Sequence, residues 1–324
     1  MKQLDRIKAP INEHIQKFDK TFSSSMKSSI PLLDTITKFI VKRKGKQIRP
    51  MFVFLAAGLN GPINEKAYHA SALIELLHTA TLIHDDVVDE SYKRRGFFSL
   101  NAIWKNKIAV LVGDFLLSKG LLLAMDNKEY DLLHIVSTAT KEMSEGELLQ
   151  IEKARRLDIS EEIYFDIIKK KTASLIAACC AAGSAASVDD EQIIKRMHQF
   201  GEWVGIAFQI KDDLFDYQKN LDTGKPSGAD IKEQKMTLPL IYILNHSDAK
   251  QKRWIINTVK RHNTDQQRVM ELIKKVYDQG GIDYATQTMY EYRTKALDIL
   301  KTFPENEFRN SLEELVIYTT ERKK

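Results

Sequence analysis

Two stretches, "LIHDDVVDE" at residues 82–90 and "QIKDDLFDY" at residues 209–217, each carry two adjacent aspartates, two spacers and a third aspartate. Residues four apart on an α-helix lie about 40° apart around its axis. A helical reading puts Asp85 and Asp89 on one face with Asp86 at its edge, and Asp212 and Asp216 on another with Asp213 beside them. Three carboxylates within a turn and a half repel one another and lower helix propensity. A bound cation would offset that cost. Carboxylates without histidine or cysteine partners suit a hard ion. So sparse a ligand set suits Mg2+, which keeps waters and shares the phosphate oxygens of a substrate. All six aspartates are therefore candidate metal ligands.

Other groups gather along the sequence near these two. His78, seven residues before Asp85, faces the same way about 10 Å along the axis. Gln209 precedes Asp212 by three residues and shares the acidic face. Cations recur in short motifs: Lys46 and Arg49 in "GKQIRP", Arg94 and Arg95 in "KRRG", Lys171 with Thr172 in "KTASL", Lys225 in "GKPSGAD" and Lys235 in "EQKMTLP". Beside two Mg2+-type clusters, such cations describe a cavity for more than one phosphorylated group. An alternative is a metal phosphohydrolase built on the adjacent His84 and Asp85 with His78 nearby, which leaves the second triplet without a role. Another is a helical scaffold or a silent partner subunit, which has no need of two intact acidic motifs.

The elements that must position these groups read as helices. The chain has 324 residues, 43% hydrophobic and 29% charged, enough apolar material for a thick core. Its net charge of +5 lacks the concentrated basicity of a nucleic-acid binder and suits an anionic substrate. No proline stands between Pro62 and Pro226, and Leu73, Leu77, Ala80, His84 and Val88 trace one helical stripe. Gly96, Gly113, Gly146 and Gly183 are read as breaks between successive helices. The prediction is one all-α domain over residues 1–324. Cys179 and Cys180, adjacent in an alanine-rich stretch, read as small buried residues rather than a disulfide framework. The N-terminal stretch lacks the apolar core of a signal peptide, and no uninterrupted apolar run is long enough for a membrane span. A cytoplasmic protein without a transmembrane segment is expected.

The motifs, in their order, resemble those of the trans-type polyprenyl diphosphate synthases: "GKQIRP", "HTATLIHDDVVDE" with "RRG", "GDFLLSKG", "SEGELLQ", "KTASL", "GIAFQIKDDLFDY", "GKPSGADIKEQKMTLPL" and "GGIDYA". Three departures spare the aspartates. "FFSLN" follows "RRG", "EQK" stands for the family's "EGK", and "KGK" stands for "GGK". The resemblance implies an isoprenoid-synthase helical bundle around a central cavity, and a homodimer. It implies Mg2+, about three ions with the allylic diphosphate, and condensation of that diphosphate with isopentenyl diphosphate. Asp85, Asp89, Asp212, Lys171 and Gln209 are the catalytic set it implies. Arg94, Lys171, Lys225 and Lys235 match its leaving-group cations. Lys46, Arg49, His78 and Arg95 match its isopentenyl diphosphate site. Gln209 and the backbone near Thr172 face the reacting cation. Where the family blocks chain growth with a bulky residue, this sequence has Ala80 and Thr81, with Leu76 and Leu77 one turn earlier. The implied product is long, about six to ten isoprene units, suited to a quinone side chain and to peripheral membrane contact at release. A short-chain farnesyl or geranylgeranyl product is the alternative.

Overall fold

A computed structural model describes residues 3–42, 45–94, 97–156, 159–218 and 228–322. Among them are sixteen α-helices and one two-stranded hairpin, with Lys93 opposite Phe98 and Arg94 opposite Phe97. The all-α class is as expected. The first acidic helix, Glu65–Val88, opens where extended Asn64 accepts a hydrogen bond from the Ala67 N–H at 3.2 Å. It closes on Asp89, whose N–H still bonds the Asp85 carbonyl at 2.8 Å. Asp89 therefore keeps the helical phase that puts it on the face of Asp85. The predicted apolar stripe ends early: Leu73, Leu77 and Ala80 are buried, whereas Val88 is 71% exposed.

The glycines correct the expected breaks. Gly113, Gly146 and Gly183 lie inside the helices Leu100–Asp126, Tyr130–Arg156 and Ser174–Ser187; Gly96 lies outside the described residues. The cause is close approach. A Cβ on Gly183 would stand 2.2 Å from the Val53 carbonyl oxygen, and one on Gly113 2.2 Å from the His84 ring. A glycine inside a helix costs about 1 kcal/mol against alanine, and here the packing it permits offsets that cost.

The helices form two compact units. The first comprises Met1–Thr138, Ala178–His198 and Glu305–Leu312. Its core includes the helix Ile48–Asn60, in which Met51 to Ala57 are wholly buried. Gly183 lets the alanine-rich helix Ser174–Ser187 come close to that helix's backbone. Cys179 and Cys180 are buried free thiols, and burial pushes Cys179 up to about 12, so it is not a nucleophile at neutral pH. The helix Leu100–Asp126 sets Gly120 against Leu73, Leu76 and Leu77. Its opposite face leaves Val110, Leu111, Leu122 and Met125 exposed. By length and mean composition this helix could cross a membrane, although Asp114 and Lys119 interrupt its apolar run and about 33% of the stretch is buried.

The second unit comprises Ala139–Ala177, Gln199–Pro304 and Glu313–Lys324. Its core is dense, with Tyr217, Ile231, Leu238, Leu240, Ile241, Ile243, Ile255 and Leu272 at 0% exposure. Helices Tyr130–Arg156, Ser174–Ser187 and Glu191–Phe215 each begin in one unit and end in the other.

Candidate active site

The second acidic motif lines a cavity of about 380 Å³ in the second unit, with Gln150, Lys171, Thr172, Gln209, Asp230 and Lys235 also in its wall. Ile159, Ile167, Ile168, Phe215 and Met236 supply its apolar side.

"KTASL" reaches the cavity through a distortion. The helix Glu161–Ile168, capped by the Ser160 hydroxyl, runs into a π-helical turn at Lys169–Ala173. Such turns widen the helix and re-aim side chains. Two glycines admit its backbone: a Cβ on Gly146 would stand 2.8 Å from the Lys171 nitrogen, and one on Gly205 2.4 Å from the Ala173 Cα. The Lys171 ammonium pairs with Glu147 and donates to Gln150 Oε1 at 3.2 Å. Both partners belong to "SEGELLQ", which is thus a cradle for Lys171. The Thr172 hydroxyl donates to Gln209 Oε1 at 2.8 Å.

The three aspartates of the motif have different surroundings. Asp212 Oδ1 pairs with the guanidinium of Arg322, which lies over the Phe208 ring at 4.3 Å. That carboxylate draws a cation, as its charge requires. Asp213 is buried; Gln209 Nε2 donates to its Oδ1 and the Tyr164 hydroxyl to its Oδ2, both at 2.8 Å. Burial, with repulsion from Asp230, pushes the Asp213 carboxyl up to about 7, against the downward pull of those two hydrogen bonds. Asp216 lies past the end of the helix Glu191–Phe215. Its N–H bonds the Asp213 carbonyl, a tighter turn than the α-helix that spacing predicted. Its Oδ1 accepts from the Ala229 N–H at 2.8 Å and its Oδ2 from the Asp230 N–H at 3.2 Å. Asp216 therefore caps the short helix Ala229–Lys232 that follows "GKPSG".

That short helix ends in a Schellman motif. The Lys235 N–H bonds the Asp230 carbonyl and the Gln234 N–H bonds the Ile231 carbonyl. Gln234 occupies the left-handed position, φ 58°, usually given to glycine. This is the site where "EQK" departs from "EGK". The motif turns Lys235 into the cavity wall, where its ammonium meets Glu233. Burial lowers the Lys235 pKa, but the Glu233 hydrogen bond and nearby acids outweigh it and the net shift is upward. Gln234→Gly is expected to raise stability by about 0.5–1 kcal/mol. A thermal midpoint that stays level or falls would show that the left-handed glutamine is not strained.

In the first unit, Asp85 is half-buried, Asp86 buried and Asp89 exposed at the helix end. Asn101 donates to the Asp86 carbonyl at 3.0 Å, fixing that last turn. Arg49 Nε donates to Glu75 Oε1 at 2.5 Å, which holds Arg49 beside the turn carrying half-buried His78. Lys46 is exposed. Arg94 enters the hairpin through its backbone; Arg95 and Lys225 lie outside the described residues. The structure thus brings Lys171, Thr172, Gln209, Asp212, Asp213, Asp216 and Lys235 to one cavity. Sequence reasoning missed Glu147, Gln150, Tyr164, Asp230 and Arg322. Of these, Glu147, Gln150 and Asp230 had a signal, their place inside recognised motifs; Tyr164 and Arg322 had none.

The polyprenyl synthetase family model matches residues 30–276. An all-trans-nonaprenyl-diphosphate synthase (geranyl-diphosphate specific) of Rhodobacter capsulatus is 37% identical over 98% of this chain and 97% of its own. Among solved structures, a polyprenyl synthase from Caulobacter crescentus complexed with calcium and isoprenyl diphosphate superposes with a TM-score of 0.90, at 31% identity over 99% of this chain and 98% of that one. A geranylgeranyl pyrophosphate synthase from Bacteroides thetaiotaomicron gives 0.84, at 37% identity over 99% and 100%.

Proposed function

We infer this protein's chemistry from one premise: the chain belongs to the polyprenyl synthetase family. It is a trans-polyprenyl diphosphate synthase, a prenyltransferase with the isoprenoid-synthase helical fold. It joins isopentenyl diphosphate head-to-tail to an allylic diphosphate. The observation that carries this reading to named residues is the single cavity shared by Asp212, Lys171, Thr172, Gln209 and Lys235. In the reaction the allylic C–O bond breaks to give a cation and diphosphate. The double bond of isopentenyl diphosphate attacks that cation, and the proton lost passes to the departing diphosphate.

Diphosphate leaves only when its charge is neutralised. Lys171 and Lys235, with Arg94 and Lys225, hold the leaving oxygens. Lys46, Arg49, His78 and Arg95 hold the second diphosphate apart from them. Gln209 and Thr172 face the allylic cation with oxygen dipoles, and Ile159, Ile168 and Met236 keep water from it.

The family's chemistry requires a divalent ion, and the donor set fits one. The motif offers carboxylate oxygen alone, and among the described residues no three His, Cys, Asp or Glu side chains form a ligand set unaided. The remaining ligands then come from diphosphate and water, the habit of Mg2+. When bound, Mg2+, about three ions, supplies Lewis-acid neutralisation of the leaving group. Asp85, Asp89 and Asp212 would hold it directly. Asp86, Asp213 and Asp216 hold the turns that present them.

The chain acts as one domain, as the helices running from one unit into the other support. It works as a cytoplasmic homodimer, to which the exposed stripe of Val110, Leu111, Leu122 and Met125 is suited, with peripheral membrane contact when product leaves. The product is long, C30–C50. A nonaprenyl and a geranylgeranyl synthase reach the same 37% identity, so the residues argue the length: Ala80 and Thr81 put no aromatic floor beside the first motif. Incubation with farnesyl diphosphate, isopentenyl diphosphate and Mg2+ is expected to yield C30–C50 chains. Product ending at C15 or C20 overturns the length. Phosphate release without C–C bond formation overturns the reaction and favours a phosphohydrolase.

A further inference from the structure

The buried phenol of Tyr164 has no part in the chemistry above, yet it reaches the centre of the acidic motif. Tyr164 is 4% exposed, and its hydroxyl donates to Asp213 Oδ2 at 2.8 Å from 49 residues away in sequence. Asp213 is 6% exposed, and its other oxygen accepts from Gln209, whose own oxygen accepts from Thr172. Both oxygens of this carboxylate thus meet neutral donors inside the protein. The helix Glu191–Phe215 ends two residues later, where a terminal turn frays unless something holds it. Tyr164 stands on a different helix, Glu161–Ile168, which leads directly into the turn carrying Lys171.

We propose that Tyr164 is a positioning residue: its hydroxyl locks Asp213 and so fixes the direction in which the neighbouring Asp212 presents its carboxylate to the metal–diphosphate. The proposal rests on the prenyltransferase reading above. The chain Thr172, Gln209, Asp213, Tyr164 then couples three segments, so the cation-holding turn and the acidic turn keep one geometry. Partners that orient a metal ligand typically contribute about ten- to a hundredfold in metal affinity.

Tyr164→Phe keeps the ring and removes the donor. Three readouts test it: calorimetric titration of Mg2+ into the protein with inorganic pyrophosphate, steady-state kinetics at varied Mg2+, and thermal melting. The expected result is a metal–pyrophosphate affinity weakened about ten- to a hundredfold, a matching rise in the half-saturating Mg2+, and a KM for isopentenyl diphosphate within about twofold. In an Asp213→Asn background the same change should add little, because the hydroxyl acts through Asp213. A lower melting point with unchanged metal affinity overturns the proposal, since a merely structural phenol would do only that. Should Tyr164→Phe fail to fold, Asp213→Asn alone gives the same metal readout, and unchanged affinity there overturns it equally. Wild-type protein that forms no C–C bond would instead sink the underlying reaction, a distinct outcome.

Discussion

Asp212→Asn is expected to lower kcat/KM by about a thousandfold, equivalent to roughly 4 kcal/mol of transition-state stabilisation. The Asp212 carboxylate meets a cation, the Arg322 guanidinium, whereas both Asp213 oxygens accept from neutral side-chain donors. Asparagine keeps the shape and one acceptor but removes the charge. Asp85→Asn is expected to lose a comparable factor. The informative measurement is the double variant. If both acidic motifs serve one leaving group, the two losses are not additive: the pair should cost little more than the worse single change. Rates are to be compared at saturating Mg2+ and with melting curves, so that a folding defect is not counted as chemistry. A double variant that turns over at the wild-type rate removes the foundation of the proposed mechanism.

Ala80→Phe is expected to shift the product from C30–C50 to C20 or shorter. Ala80 lies five residues before Asp85, about 140° around the helix from it, and is 2% exposed. Thr81, half-buried, is on the face of Asp85 itself, and its hydroxyl bonds the His78 carbonyl at 2.9 Å. Neither side chain reaches far. Leu76 and Leu77, one turn earlier, are buried near Gly120 of the helix Leu100–Asp126. A phenyl ring at position 80 would add bulk at the turn beside which a growing apolar chain must pass. It would also load a packed site, with about 1–3 kcal/mol of destabilisation. The readout is therefore the chain-length distribution per turnover, not total yield. An unchanged distribution from folded protein would place the growth channel elsewhere. A shift toward short chains with initial rate retained would identify this turn as the ruler.

What the sequence determined by itself was whatever one helix can encode in its own spacing. The proline-free, three- and four-residue periodicity sufficed for an all-α chain, and the four-residue step between Asp85 and Asp89 sufficed to place them on one face. The order of the short motifs sufficed for the family. Spacing failed where the helix stopped. Asp216 falls past Phe215, and its carboxylate caps a second helix thirteen residues on, which a four-residue step cannot reveal. It failed for glycines, because Gly113, Gly146 and Gly183 answer to neighbours across a crossing and not to breaks in their own helices. It failed for Tyr164 and Arg322, which reach the motif from 49 and 110 residues away. Local pattern fixes direction around one axis; which side chain meets a given carboxylate depends on how separate helices pack. Only tertiary structure could give three chemically equal aspartates different partners: a guanidinium at Asp212, a phenol and an amide at Asp213, and backbone N–H groups at Asp216.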